Sequence, residues 1–342
     1  MLSRSDKLAI YLEGSLTGDF AKMGIGILRY SPNVVACVID SDHAGKNVQD
    51  VVLSPRSCPV VASLEQAVAL GANVLVLGTA PPGGLIPPAW YPILDEAVRR
   101  RLCIVNGLHD LLGPRYPDLA PGQWIWDIRI EPHGLQPGTG KANHLTNRRV
   151  LMIGTDMAIG KMTAGLEIDR AARARGVRSE FIATGQIGIT IMGRGIPLDA
   201  IRVDFACGAV EREVMAVADS DLVIVEGQGA LCHPGSTSNL PLLRGAAPTH
   251  LVLCHRAGME RLRRMPEYPV PPLRDYIRLY EDLGEACGTF VRPRGVAVAL
   301  NTMECDADQA DTWVKRTEDE TGLPCCDPVR HGAELLLDAI LA

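Results

Sequence analysis

Hydrophobic positions along this chain gather into short, nearly continuous runs instead of alternating strictly with polar ones. In the first part, residues 8–12, 34–39, 74–77 and 102–105 are aliphatic runs, each ending near Gly, Asp or Asn. Runs of that kind predict parallel strands buried on both faces and feeding a loop. Helical patterns at 63–70 and 91–101 lie between them, giving the βαβ rhythm of a Rossmann-like layer. From 129 to 149 the rhythm breaks into a stretch rich in Pro, Gly, His and Asn, which places a domain boundary near residue 145. It restarts with a strand at 150–153 and a helix at 161–175, closed by Gly176 as a C-cap. Further strands are predicted at 181–183, 222–225, 251–254 and 296–300, and Pro266 to Pro272 reads as an irregular loop or lid. The pattern predicts an α/β chain of two domains, 1–145 and 146–342.

Composition narrows the choice of partners. With 34 basic and 40 acidic residues the chain carries a net charge of −6, and only 15 of its 342 residues are Phe, Trp or Tyr. Neither a basic footprint for phosphate backbones nor a base-stacking platform is present, so nucleic acid is not an expected partner. The longest uncharged stretch, Gln66 to Leu94, holds Pro81, Pro82, Pro87, Pro88 and Pro92 and cannot be a membrane helix. The first residues carry no apolar signal core. Ten cysteines form no C-x-x-C pair, and several sit in apolar runs as Cys37, Cys103 and Cys254 do. That usage predicts reduced, buried thiols in a cytoplasmic protein.

The sharpest chemical signal is Gly154-Thr155-Asp156-Met157-Ala158-Ile159-Gly160-Lys161-Met162-Thr163, between a predicted strand and a predicted helix. Glycines let successive amides turn inward, and the helix start adds partial positive charge, so the segment predicts an anion cradle. Lys161 adds a full charge. The second domain is therefore expected to be P-loop NTPase-like, with Gly154, Thr155, Gly160, Lys161, Met162 and Thr163 holding a phosphate-bearing ligand. Two departures stand out. Thr155 occupies the place of the first glycine, and Met162 replaces the metal-binding hydroxyl, with Thr163 turned about 100° away on the helix.

A second signal is the strand Leu222-Val223-Ile224-Val225, which delivers Glu226 followed by Gly227, Gln228 and Gly229. Ligands of open parallel sheets bind at that end of the strands. Glu226 is a candidate proton acceptor, metal ligand or amine anchor. His233, in Cys232-His233-Pro234, is a candidate general base. Thr184-Gly185-Gln186 adds a glycine loop to the same rim, and Asn301 follows another strand, either to bond a ligand or only to end the strand. In the first domain, Glu13 to Gly18 lacks the G-x-G-x-x-G spacing of dinucleotide binding. Asp40 stands either where a ribose-binding acid would or in an ordinary loop. Zinc-site cysteine spacing, H-E-x-x-H and a nucleophile elbow are missing, so no metal site is predicted from these motifs.

Two resemblances attach to these residues. The Gly-Thr-Asp-x-x-x-Gly-Lys loop with the later Val-Glu-Gly resembles dethiobiotin synthetase, which would imply an ATP- and Mg²⁺-dependent ligase or kinase acting on a small carboxylate, with Asp156, Lys161 and Glu226 at the phosphate and metal. A longer match covers Ile10-Tyr11-Leu12, Leu28-Arg29-Tyr30-Ser31, Val38-Ile39-Asp40-Ser41, Gly154 to Thr163, Ala183-Thr184-Gly185-Gln186, and Glu226-Gly227-Gln228-Gly229 with His233-Pro234. Over nearly the whole chain the sequence is similar to a two-domain family, Rossmann-like then P-loop-type, once labelled only as a domain of unknown function. Its characterised members are D-glutamate N-acetyltransferases. The resemblance implies acetyl transfer from acetyl-CoA to D-glutamate in D-amino acid catabolism, beside a racemase-type partner enzyme that takes N-acetyl-D-glutamate, and a homo-oligomer. Coenzyme A carries a pyrophosphate, so a phosphate loop can hold it without hydrolysis. Attack by an amine needs a base, with Glu226, Asp156 and His233 as candidates. Gly185, Gly227 and Gly229 are candidates for the donor's site, and Arg29, Arg194 and Arg256 for a dicarboxylate. A non-catalytic ligand-binding module is the third reading these residues leave open.

Overall fold

A computed structural model describes residues 2–342. The first of two compact units comprises the chain up to Ile130 together with Gln186–Pro197; the second comprises Glu131–Gly185 and Leu198–Ala342.

In the first unit, the apolar runs become β1 (Lys7–Tyr11), β2 (Val34–Ile39), β3 (Val60–Val61), β4 (Val74–Leu77), β5 (Cys103–Asn106) and β6 (Ile125–Asp127). All pair in parallel, in the order β3-β2-β1-β4-β5-β6. Helices α1 (Lys22–Tyr30), α2 (Leu64–Ala69) and α3 (Tyr91–Arg99) connect them. The order is Rossmann-like, with the reversal between β1 and β4. Asp40, at the end of β2, is fully buried and already engaged: Gly14 donates its amide at 2.8 Å, and His43 Nδ1 lies 2.5 Å away. Its carboxylate closes the β1 and β2 loops onto each other, the ordinary loop role.

The second unit is built on β7 (Arg148–Gly154), followed by α4 (Lys161–Ala174) and β8 (Ser179–Ile182). The chain leaves for the first unit to form α5 (Gln186–Met192), which packs on α1. It returns through α6 (Val203–Met215), β9 (Leu222–Val225), α7 (Asn239–Ala246) and β10 (His250–Arg256). A small antiparallel hairpin, β11 (Arg261–Leu262) with β12 (Met265–Pro269), precedes α8 (Leu273–Glu285), β13 (Arg294–Asn301), α9 (Ala307–Thr321), β14 (Cys325–Cys326) and α10 (Glu334–Leu341). The parallel sheet runs β14-β13-β10-β7-β9-β8, so β7 is flanked by β9 and β10, and their carboxyl ends share one rim.

Two readings of composition change on folding. Residues 131–145, assigned by composition to the first domain, fold with the second unit, because Glu211 of α6 accepts hydrogen bonds from Thr139 N at 2.7 Å and Thr139 Oγ1 at 2.8 Å. The Pro-rich stretch read as irregular is in part a strand. Proline is tolerated there because a two-stranded ribbon leaves outward positions with no ladder partner to lose. Arg149 shows how β7 is seated: it is 1% exposed and donates only to neutral oxygens, including Ala247 O at 2.9 Å and Leu145 O at 3.0 Å. Burial lowers its pKa to about 10. All ten cysteines are free thiols, and no helix among the described residues is long and apolar enough to cross a membrane.

Gly208 tests this packing. A Cβ at that position of α6 would lie 1.8 Å from the carbonyl oxygen of Gln136, a backbone atom that cannot swing aside. Gly208→Ala is expected to destabilise the second unit by about 2–3 kcal/mol, read as a lower midpoint in denaturant unfolding.

Candidate functional site

The loop from Thr155 to Gly160 leaves β7 and enters α4 at Lys161. It turns through two left-handed residues, Ala158 with φ +54° and Gly160 with φ +112°. The second is the N-cap of α4, where a glycine takes that conformation without steric cost. Side chains hold the loop from behind. Tyr276 OH donates to Gly154 O at 2.9 Å, Cys232 Sγ lies 3.1 Å from Thr155 O, and Asn301 Nδ2 donates to Ile159 O at 3.1 Å. Thr155 Oγ1 meets His255 Nδ1 at 2.9 Å. With its carbonyls tied back, the loop leaves the amides of Ala158, Ile159, Gly160, Lys161 and Met162 without an acceptor among the described residues. A row of such amides at a helix start is the physical requirement for anion binding.

Lys161 is buried, and its Nζ donates to Asp156 O at 2.8 Å. Burial lowers its pKa, against the opposing pull of Cys254, Asp156 and Glu226. Glu226, one strand over, is equally withdrawn from water. Its Oε2 accepts from Thr184 N at 2.8 Å and Gly185 N at 3.1 Å, which leaves Oε1 without a hydrogen-bond partner among the described residues. Burial outweighs those two amides and Lys161, and pushes the Glu226 pKa up to about 7. The two strand ends are pressed together at Gly227. A Cβ there would stand 1.7 Å from Met152 O and 3.0 Å from Lys161 Cδ. Gly185 is similarly confined, by Gln228 Nε2 and Glu226 Oε1, while Gly229 adopts φ +64° against Ser236. Thr184 Oγ1 donates to Glu226 O at 2.8 Å and accepts from Gln228 Nε2 at 3.1 Å, stitching the two loops into one wall.

Asp156 and His233 face one another across 4.0 Å, both nearly enclosed. His233 Nδ1 accepts from Gly235 N at 3.0 Å, so in the neutral ring Nε2 carries the proton and is turned toward Asp156. Asp156 is itself held by two amides, Met157 N at 2.6 Å and Arg263 N at 2.9 Å. The second comes from the β11–β12 turn, which thus closes on the phosphate loop.

The structure brings Gly154, Thr155, Asp156, Gly160, Lys161, Gly185, Glu226, Gly227, Gly229 and His233 to one rim of the second unit. Met162 and Thr163 lie half-buried on the first turn of α4. Asn301 works on the loop's back: both ends of its amide are used, on Ile159 O and on Met303 N. Arg256 is paired with Glu304 at 2.5 Å, whereas Arg29 and Arg194 belong to the first unit. Sequence reasoning did not find Tyr276 and Tyr280. Four residues apart on α8, they stack edge to face at 5.2 Å and look like ordinary core aromatics. Their hydroxyls differ from core. Tyr276 OH also accepts from Leu231 N at 2.8 Å, and Tyr280 OH donates to Asn239 Oδ1 at 2.8 Å, so one helix governs both the phosphate loop and the loop after Glu226.

Two family models match the chain. Residues 136–337 match the family model described as the P-loop domain of a domain of unknown function, DUF1611, and residues 41–131 match its Rossmann-like N-terminal domain. A curated protein named D-glutamate N-acetyltransferase from Tritonibacter scottomollicae is 34% identical over 94% of each chain. Another of that name, from a Pseudoalteromonas species, is 32% identical over 83% of this chain and 88% of its own. The crystal structure of a DUF1611 family protein from Anabaena variabilis superposes with a TM-score of 0.96 at 46% identity, covering 98% of this chain and 99% of that one.

Removing one oxygen atom tests the tyrosine bridge. Tyr276→Phe strands the buried Gly154 carbonyl and leaves the Leu231 amide only its longer bond to Tyr280 OH at 3.3 Å, and is expected to cost about 1–3 kcal/mol in urea unfolding. Tyr280→Phe leaves the Gly154 bond intact and should cost less.

Proposed function

We propose that this chain, which belongs to the DUF1611 family, transfers the acetyl group of acetyl-CoA to the amino group of D-glutamate. The name of both curated relatives supports the reaction. The observation that carries the reading onto these residues is Glu226, a buried carboxylate with a pKa of about 7 and one free oxygen, beside an amide cradle.

In this reading the pyrophosphate of coenzyme A rests on the amides from Ala158 to Met162, with the Lys161 charge behind them. Glu226 takes the proton that the ammonium group of the acceptor must shed. The freed amine attacks the thioester carbonyl, a C–N bond forms, and the C–S bond breaks. Coenzyme A leaves as its thiol, and one proton is released overall per turnover. His233 Nε2–H is the site's other proton donor, held in register by Gly235 and Asp156. Substrate dicarboxylate recognition and passage of N-acetyl-D-glutamate to a racemase-type enzyme belong to the same proposal.

The ATP- and Mg²⁺-dependent alternative lacks its donor set. Both oxygens of Asp156 accept backbone amides, and methionine stands where the metal-binding hydroxyl is required. These residues do not fit the ion.

Purified protein with acetyl-CoA and D-glutamate, and no nucleotide, is expected to release thiol in step with N-acetyl-glutamate detected by mass. ADP formation that depends on ATP and a small carboxylate, with no thiol release, would overturn the reading. A base with a pKa near 7 must be ionised to act, so kcat/KM should fall as pH drops below about 7 and level off above it. Glu226→Gln is expected to lower kcat by about 10²–10⁴-fold and abolish that limb, with KM for acetyl-CoA little changed.

A further inference from the structure

Behind the phosphate loop, still within the second unit, lies a cavity of about 280 Å³ that the proposed chemistry does not use. One of its walls is His255, whose Nδ1 meets Thr155 Oγ1 at 2.9 Å, so one side chain joins the cavity to the first residue of the loop. Trp313 of α9 forms another wall. Its indole reaches in because residue 258 is glycine: a Cβ there would stand 3.2 Å from Trp313 Cζ2. Pro271 and Val270 supply apolar surface. The charged lining is Glu260, Glu320 and Arg316, and the Arg316 guanidinium is stacked on the indole at 4.8 Å from the ring centre.

This lining selects among ligands. Two carboxylates against one guanidinium offer no cationic clamp for a dicarboxylate such as the acceptor, so an uncharged group fits the cavity better. The volume lies below the range that encloses a whole drug-sized ligand, so it admits one ring system and not a complete coenzyme. A flat aromatic wall, proline and valine surface and the Glu260 carboxylate, with Glu320 Oε1 already taking the Leu273 amide at 2.8 Å, suit a planar heterocycle bearing an exocyclic amine. We infer that this cavity seats the adenine base of the diphosphate-bearing ligand gripped by the neighbouring loop. The inference deepens the acetyl-CoA reading and rests on it for the donor. Adenine itself could come from coenzyme A or from ATP, and the experiment separates the two.

Acetyl-pantetheine carries the same thioester without the nucleotide. The wild-type protein should prefer acetyl-CoA to acetyl-pantetheine by kcat/KM, and Trp313→Ala should shrink that preference at least tenfold, through KM for acetyl-CoA. Trp313→Phe keeps a ring in the wall and should restore most of it, which loss of folding would not do. An unchanged preference in Trp313→Ala overturns the base seat and leaves acetyl transfer standing. If the wild-type protein uses neither thioester, the acetyl-transfer reading fails instead. The seat is then judged by titration with ADP: a tenfold weaker Kd in Trp313→Ala supports it with ATP as the source, and equal affinity refutes it.

Discussion

Withdrawing Lys161 and Glu226 from water at adjoining strand ends is the constraint that shapes the second unit. An isolated buried charge is costly, and each of these groups is held by backbone: Lys161 by the Asp156 carbonyl, Glu226 by the Thr184 and Gly185 amides. Backbone partners fix position without supplying a full counter-charge. Burial therefore lowers the Lys161 pKa and raises that of Glu226 to about 7, which leaves the carboxylate able to take up and release a proton near neutral pH. The close approach at Gly227 and the side chains that draw the loop carbonyls backward follow from the same need to hold two strand ends together without side-chain bulk.

Much of this was legible in the sequence, for identifiable reasons. Strands buried on both faces read as unbroken apolar runs, so β1, β2, β4, β7, β9, β10 and β13 were visible. The phosphate loop was visible because strand, glycines, lysine and helix occur in fixed order. What stayed hidden lacks a local pattern. The two-residue strands β3 and β14 are too short to show a period, and the β11–β12 hairpin contains prolines that argue against a strand. The tyrosines of α8 announce an apolar face, while their hydrogen bonds span more than a hundred residues for Tyr276 to Gly154. Residues 131–145 read as part of the first domain because what ties them to α6, the Glu211 carboxylate and the close approach of Gln136 to Gly208, is distant in sequence.

The first unit makes a complementary point. Its strand order is the one that houses dinucleotides in other proteins, and an acid stands at the end of β2, yet Asp40 is spent on Gly14 and His43. Topology supplies a place for a ligand, and the state of particular side chains decides whether the place is open.

The excursion that forms α5 gives the molecule an unusual covalent plan. The chain leaves the second unit directly after Gly185, one of the residues that hold Glu226, and re-enters it at Leu198, whose amide bonds Thr184 O at 3.1 Å. No single cut of the polypeptide can therefore yield either half intact. A fragment ending at Ile130 would lack α5 and bare the surface of α1 that it covers, and one beginning at Glu131 would carry α5 as an orphaned helix. Dissection of this protein calls for excising residues 186–197 and bridging Gly185 to Leu198, not for truncation.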